Sequence, residues 1–212
     1  MDFEIRLETK DDYSKVEEMT REAFWNLYVP GCDEHYLVNT MRSHPDFIQD
    51  LDYVAVKENQ IVGSILYTKS HVVNENGDRR ETATFGPLCV HPKYQRVGIG
   101  SALIEHTKRL VVEKGFPAIV ILGDPHNYCK HGFKNGRDYN ISTINGKFPL
   151  GLLVLELKEG AFANHSWKFK ESEVYEIDRE KVDEYDGRFA PKEKKRQYSQ
   201  ELFSMLIRSS LE

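Results

Sequence analysis

Leu88-Cys89-Val90-His91-Pro92-Lys93-Tyr94-Gln95-Arg96-Val97-Gly98-Ile99-Gly100-Ser101 joins a strand-like run to the start of a helical one. A turn of this kind aims several unpaired backbone N–H groups at one point, where the helix dipole also favours negative charge. Gly98 and Gly100 let a phosphate group come close to the main chain, so a diphosphate suits the turn on electrostatic grounds. The segment is not a Walker loop, because the Gly-Lys-Ser/Thr ending is absent. Nor is it a Rossmann turn, because Leu103 stands where G-x-G-x-x-G requires a small residue.

Outward from this turn, residues 98–114 carry the apolar stripe Ile99, Ala102, Leu103, His106 and Leu110 at helical spacing, with Gly115 as the stop. Residues 118–122 are almost continuously apolar, as expected of a strand buried on both faces. With the strand at 82–90, interrupted by Gly86-Pro87, they form a strand–helix–strand crossover whose flanking strands should be parallel. Asp124-Pro125 then caps a short helix ending near His131, and Gly132 stops it.

Towards the N-terminus, residues 3–7 alternate as a strand, and Asp11 or Asp12 caps a helix reaching about Trp25. A second short helix runs from Asp33 or Glu34 to Arg42, turning Tyr36, Leu37 and Met41 inward. Residues 53–56 and 61–67 make an antiparallel pair, followed by a polar loop at 74–80 with an Asn76-Gly77 turn. Further on, 152–157 is a strand, 167–177 alternates like one, and Leu202, Phe203, Leu206 and Ile207 mark an amphipathic final helix. The fold class is α/β with a mixed central sheet.

The chain has 212 residues, enough to bury a sizeable core in one domain. Its net charge of −5 argues against a general nucleic-acid binder, whose affinity leans on many basic contacts to phosphates, so an anionic ligand must be held locally. The basic cluster Lys192, Lys194, Lys195 and Arg196 reads as a solvated face. There is no apolar run long enough to cross a bilayer and no signal-like N-terminus, which predicts a soluble, cytoplasmic protein without a membrane partner. Cys32, Cys89 and Cys129 are far apart and form no CxxC pair. No histidine pair has H-x-x-x-H spacing on a helix, so no metal is expected.

The stretch from Leu88 to Ser101 resembles motif A of the GCN5-related N-acetyltransferase (GNAT) superfamily, whose Gln/Arg-x-x-Gly-x-Gly/Ala core is present as Gln95-Arg96-Val97-Gly98-Ile99-Gly100. Tyr128-Cys129-Lys130-His131-Gly132-Phe133 is similar to that superfamily's Tyr-x-x-x-Gly-Phe element. The resemblance implies a GNAT-like domain over 1–158, with central parallel strands that splay apart. Residues 159–212 are then an extension expected to pack on the same domain. It implies acetyl-CoA as cosubstrate, held by Leu88, Cys89 and Val90 along the pantetheine arm and by Gln95, Arg96, Val97, Gly98, Ile99, Gly100 and Ser101 at the pyrophosphate. The acceptor would be the amine of a small molecule or a protein amino group. The Asn often found a turn before the Tyr is missing, position 121 being Ile.

Transfer from a thioester to an amine needs a neutral nucleophile, stabilisation of the carbonyl oxygen and a proton for the departing thiolate. Tyr128 is the catalytic candidate for the last, and a backbone N–H near Val90 for the second. Glu81, Glu34, Glu22 and His91 are all conceivable bases, and none is preferred. Direct transfer is favoured over an acyl-cysteine, because nothing supplies Cys89 or Cys129 with a thiolate-forming partner. Trp25, Tyr28, Tyr36 and His44 read more readily as core than as an acceptor pocket. The competing reading is an inactive acetyl-CoA sensor or interaction module. The last helix also offers an apolar face to a second copy, which allows a homodimer.

Overall fold

The opening alternation forms β1 (Glu4–Leu7), and a 3-10 turn leads into α1 (Tyr13–Phe24); the computed structural model describes residues 2–212. In α2 (Glu34–Met41) the buried residues are His35, Leu37, Val38 and Met41. Tyr36, expected inward, is only half-buried, because the 35/38/41 and 37/41 rows define the inner face and leave it on the flank.

The antiparallel hairpin is β2 (Tyr53–Lys57) with β3 (Gln60–Asn74), and β3 returns as β4 (Arg79–Val90) through the turn at Asn76-Gly77. β3 continues well past residue 67, where its apolar signal ends. Its buried Thr68 and Ser70 are polar, and hydroxyl pairing satisfies them: Ser70 Oγ lies 2.8 Å from Thr82 Oγ1 and accepts from Thr84 Oγ1 at 2.8 Å.

The crossover helix is α3 (Ile99–Glu113), followed by β5 (Ala118–Leu122). Its inner row is Ile99, Leu103, Ile104, Thr107 and Val111. The expected Ala102, His106 and Leu110 lie beside that row instead. Thr107 can be buried because its hydroxyl donates to Leu103 O at 2.8 Å and lies 3.0 Å from the Tyr67 hydroxyl.

The remaining elements are α4 (Pro125–Tyr128), β6 (Lys134–Asn135), β7 (Ile141–Thr143), β8 (Phe148–Pro149), β9 (Leu152–Glu156), β10 (Trp167–Lys170), α5 (Arg179–Asp186), α6 (Tyr198–Arg208) and β11 (Ser210–Leu211). The sheet order is β1-β2-β3-β4-β5-β9-β6, and β10 pairs with both β3 and β7. It is a mixed sheet: β4 and β5 run parallel, β10 and β7 run parallel, and the other pairs are antiparallel.

Two apolar clusters lie on opposite faces of the sheet, as strand alternation requires. Ala55, Ile65 and Tyr67 join Ile99, Leu103 and Ile104 of α3, whereas Val54 and Leu66 join Val16 of α1 and Leu37, Val38 and Met41 of α2.

The expected strand at 167–177 ends at Lys170, and the chain then turns through a 3-10 segment that carries Tyr175 into the α1–α2 face. The Tyr175 hydroxyl donates to Gly86 O at 3.2 Å, so the extension reaches the kink in β4, where Gly86-Pro87 is cis and the register with β3 shifts. α5 gave no signal in the sequence, because only Val182 and Tyr185 of it are buried. No helix among the described residues is long and apolar enough to cross a membrane.

Candidate active site

β4 and β5 share a single registered pair, Ala83 with Ile119, and part beyond it. At the end of β4 the His91 N–H donates to Val62 O of β3 at 2.9 Å. Backbone groups alternate in direction along a strand, so Leu88 and Val90 present theirs to the opposite edge, the one β5 has left. Cys89, between them, sends its thiol inward, 3.4 Å from Thr20 Oγ1 and 3.2 Å from Ser64 Oγ, where burial raises its pKa.

The turn follows at once. Gln95 closes it by donating from Nε2 to Val90 O at 3.1 Å. Arg96 and Gly98 both have left-handed backbone, with φ of 63° and 94°. This costs Gly98 nothing but is strained for an arginine, and strain of that sort gathers at functional turns. None of the backbone N–H groups from Arg96 to Ser101 donates to another group among the described residues, and the first helical bond is Ala102 N–H to Gly98 O at 2.9 Å. Those free donors, with the dipole of the fifteen-residue α3 behind them, form an anion cradle. Ile99 itself is buried and Val97 is largely exposed, so the turn offers main chain rather than side chains. Ser101 Oγ lies 3.3 Å from His131 Nε2, and His131 Nδ1 lies 3.1 Å from Glu105 Oε1, which ties the cradle to the turn after α4.

Tyr128 stands across the gap at the end of α4, which Asp124 caps by accepting the His126 N–H at 2.9 Å. Its ring packs on Phe85 and Phe133, with centroids 5.6 and 5.9 Å away. It also lies so close over Gly123 that a Cβ there would sit 2.5 Å from the ring. The hydroxyl makes no hydrogen bond to the protein among the described residues. Burial first, then Tyr28 and Asp124, raise its pKa, so it is held as a neutral O–H.

The model of the acetyltransferase (GNAT) family matches residues 18–133. The chain belongs to this family. Two uncharacterized N-acetyltransferases of Escherichia coli K12 are similar to this GNAT chain. YhbS is 28% identical over 131 residues, covering 61% of this chain and 72% of its own length; YjhQ is 29% identical over 136 residues, covering 62% and 70%. Among solved structures, E. coli YhbS in complex with CoA superposes with a TM-score of 0.71 at 21% identity, over 84% of this chain and 93% of that one. A GNAT acetyltransferase from Brucella melitensis in complex with acetyl-CoA gives 0.65 at 22%, over 82% and 97%. These likenesses show the GNAT fold: the mixed sheet of this enzyme is theirs.

Of the GNAT residues singled out in sequence, the turn, the open edge of β4 and Tyr128 converge. Of the four aromatics doubted as pocket lining, only Tyr28 reaches this neighbourhood. Trp25 donates to Glu193 O at 3.0 Å beneath Arg21, Tyr36 packs on Tyr185, and His44 lies against Ser172. The residue that sequence reasoning passed over is Phe203, whose ring stacks on Tyr28 at 4.3 Å. Only the helical spacing of α6 marked it, and nothing in that spacing told what its apolar face would meet. No group of three or more His, Cys, Asp or Glu side chains among the described residues is placed to hold a metal ion.

Proposed function

We propose that this enzyme transfers an acetyl group from acetyl-CoA directly to a primary amine. The observation that carries the reading is the run of free N–H groups from Arg96 to Ser101 beside the edge of β4 that β5 has left. The first fits a pyrophosphate, and the second offers strand-like pairing to the amide groups of a pantetheine arm. The complexes of the two structural relatives with CoA and with acetyl-CoA agree with this.

The amine nitrogen attacks the thioester carbonyl carbon, a C–N bond forms and the C–S bond breaks. The Val90 N–H is the donor for the carbonyl oxygen as charge builds there, at no cost in side-chain ordering. Tyr128 hydrogen-bonds the departing sulfur. A phenol raised above its ordinary value of 10.0 is a weaker acid than a thiol near 8.5, so its O–H donates to the thiolate and passes a proton only as the nitrogen gives one up. Direct transfer is supported by the thiols: Cys89 and Cys32 are buried with raised pKa values, and Cys129 is exposed without an activating hydrogen bond.

Gly100→Glu tests the reading. Gly100 is helical and a Cβ there meets only Val90 Cγ2, at 3.6 Å. A carboxylate in the first turn suits the helix dipole yet repels a diphosphate. Calorimetric titration should show saturable acetyl-CoA binding by the wild type and a loss of ~100-fold or more in a variant that melts no lower. Absence of wild-type binding would remove the acetyl-CoA reading.

A further inference from the structure

Loss of a proton from the attacking amine needs an acceptor, and the structure discriminates among the four conceivable ones. Glu22 is exposed and paired with Lys192 at 2.8 Å. Glu81 is half-exposed, faces His71 across the strands and lies 3.6 Å from Lys69. His91 Nδ1 is occupied as a cap, accepting the Lys93 N–H at 3.2 Å. Glu34 differs from all three. It is recessed at the start of α2, Oε2 accepts the Asp33 N–H at 3.1 Å, and no cation lies within ion-pair distance of it among the described residues.

The loop that carries Glu34 is folded tightly. The Asn26 N–H donates to Gly31 O at 2.8 Å and the Gly31 N–H to Asn26 Oδ1 at 2.9 Å, which gathers Tyr28 and Glu34 into one short segment. Asn26 also anchors the approach to α6: its Oδ1 accepts the Lys195 N–H and its carbonyl accepts from Gln200 Nε2, both at 3.0 Å. At its other end α6 is fastened where β11 pairs with β8 and the Leu150 N–H reaches Ser209 O at 2.9 Å. Next to Leu150, the Gly151 carbonyl accepts the Gly123 N–H at 2.9 Å, at the head of the Tyr128 turn. α6 therefore straps the α1–α2 loop to the far side of the gap between β4 and β5, with Phe203 turned onto Tyr28 beneath it.

We propose that Glu34 is the base that takes the proton from the acceptor, and that the acceptor is a small primary amine with an apolar body, enclosed under α6 against Tyr28 and Phe203. The inference rests on the acetyl-transfer reading. Of the three protons on an incoming ammonium, one goes to the Glu34 carboxylate and thence to water. One ends on the sulfur through Tyr128, and one stays on the product amide. Burial raises the Glu34 pKa to about 7, against the lowering pull of the Asp33 and Glu34 backbone N–H groups, so the carboxylate can both take and release a proton near neutrality. The titratable groups facing it are Asp33 on its own helix start, Tyr28 and Cys32 on the loop and Cys89 on β4; Lys194, over Gly31, is paired with Asp183 at 2.6 Å. α6 crosses this side of the gap with Phe203 stacked on Tyr28, and that cover over the loop favours a small molecule over a protein chain.

The test uses the full chain, with thiol release followed for 2-phenylethylamine, ethylamine and a lysine-containing peptide, and with acetyl-CoA binding measured separately. For Glu34→Gln the expected result is unchanged acetyl-CoA affinity and a ~100-fold loss of kcat/KM for 2-phenylethylamine at pH 7. The loss should shrink as the pH rises towards the amine's own pKa, and the wild-type limb near pH 7 should vanish. Unchanged kcat/KM and an unchanged pH profile would overturn the role of Glu34. Phe203→Ala should raise KM for 2-phenylethylamine about tenfold and leave that for ethylamine within about twofold. Faster turnover of the peptide, or no turnover of either small amine by a wild type that binds acetyl-CoA, would overturn the acceptor class. Failure of the wild type to bind acetyl-CoA is the separate result that overturns the underlying reading.

Discussion

The junction of α1, α2 and α5 and the turn from Arg96 to Ser101 treat their polar groups in opposite ways. At the junction, charges are sunk and matched. Arg21 forks onto Asp186 at 2.6 and 3.2 Å, and Arg42 bridges Glu8 and Glu17. Glu17 also accepts from the Tyr185 hydroxyl at 2.6 Å, and burial with the neighbouring Glu8 carboxylate pushes Asp52 well above the usual carboxylate range. At the turn, consecutive donors are left bare. The matched region uses its hydrogen bonds to fix α5 and spends none on a ligand; the bare turn is held by the Gln95 and Ser101 side chains and keeps its main-chain donors for one.

The sharpest way to break this contrast is Asp186→Ala. It strands the Arg21 guanidinium, only 4% exposed, without a partner, and should cost about 3–5 kcal/mol in urea unfolding. Acid comes next. Burial lowers the His35 pKa from 6.5 to about 4, while its Nε2 approaches Asp186 Oδ1 at 3.2 Å without the alignment of a hydrogen bond. The unfolded chain takes up this proton below 6.5 and the folded one only near 4. Stability present above 6.5 is therefore lost as the pH falls through that window, by about 3 kcal/mol, and His35→Gln should flatten the loss in pH-dependent melting. Glu34 answers with the opposite sign: its folded pKa is raised, so its contribution fades as the pH climbs from 4.5 to about 7. The smallest effect belongs to Tyr128→Phe, which keeps the ring in place over Gly123. It should lower kcat by ~10- to 100-fold at unchanged acetyl-CoA affinity and melting temperature, because one hydroxyl interaction at the sulfur is lost.

The turn, the crossover helix and the apolar strand after it were legible because each is decided by neighbours in the chain: glycines at a helix start, a 3.6-residue period, an unbroken apolar run. What escaped was decided at a distance. Residues 68–74 carry Thr68, Lys69, Ser70 and His71, which announce no strand; their pairing with β4, and that of His71 with β10, makes them one. Nothing in the sequence marks His35 as buried; Tyr185 and Asp186 of α5 lie over it. Glu34 could be named as one of four bases, but not separated from the others, because Lys192, Lys69 and the Lys93 N–H that occupy its rivals are facts of packing. The α3 stripe was misjudged by one side chain in each turn, since Thr107 is tolerated inside through hydroxyl bonds to Leu103 O and to Tyr67 that the spacing does not show.

The seat of β10 also sets a timetable. β4 holds one edge of β3 along its length; on the other edge β2 and then residues 46–48 pair as far as Lys69, and His71 to Asn74 wait for Trp167 to Lys170. During synthesis the whole acetyltransferase signature, from motif A through Gly132-Phe133, has been made while the last four residues of β3, His71 to Asn74, still offer a bare edge. Closing it joins residues nearly a hundred apart in sequence, and contacts of that range are slow to form. A nascent chain stalled before residue 167 would contain every recognisable element of the enzyme and remain open to sheet-to-sheet association with its neighbours.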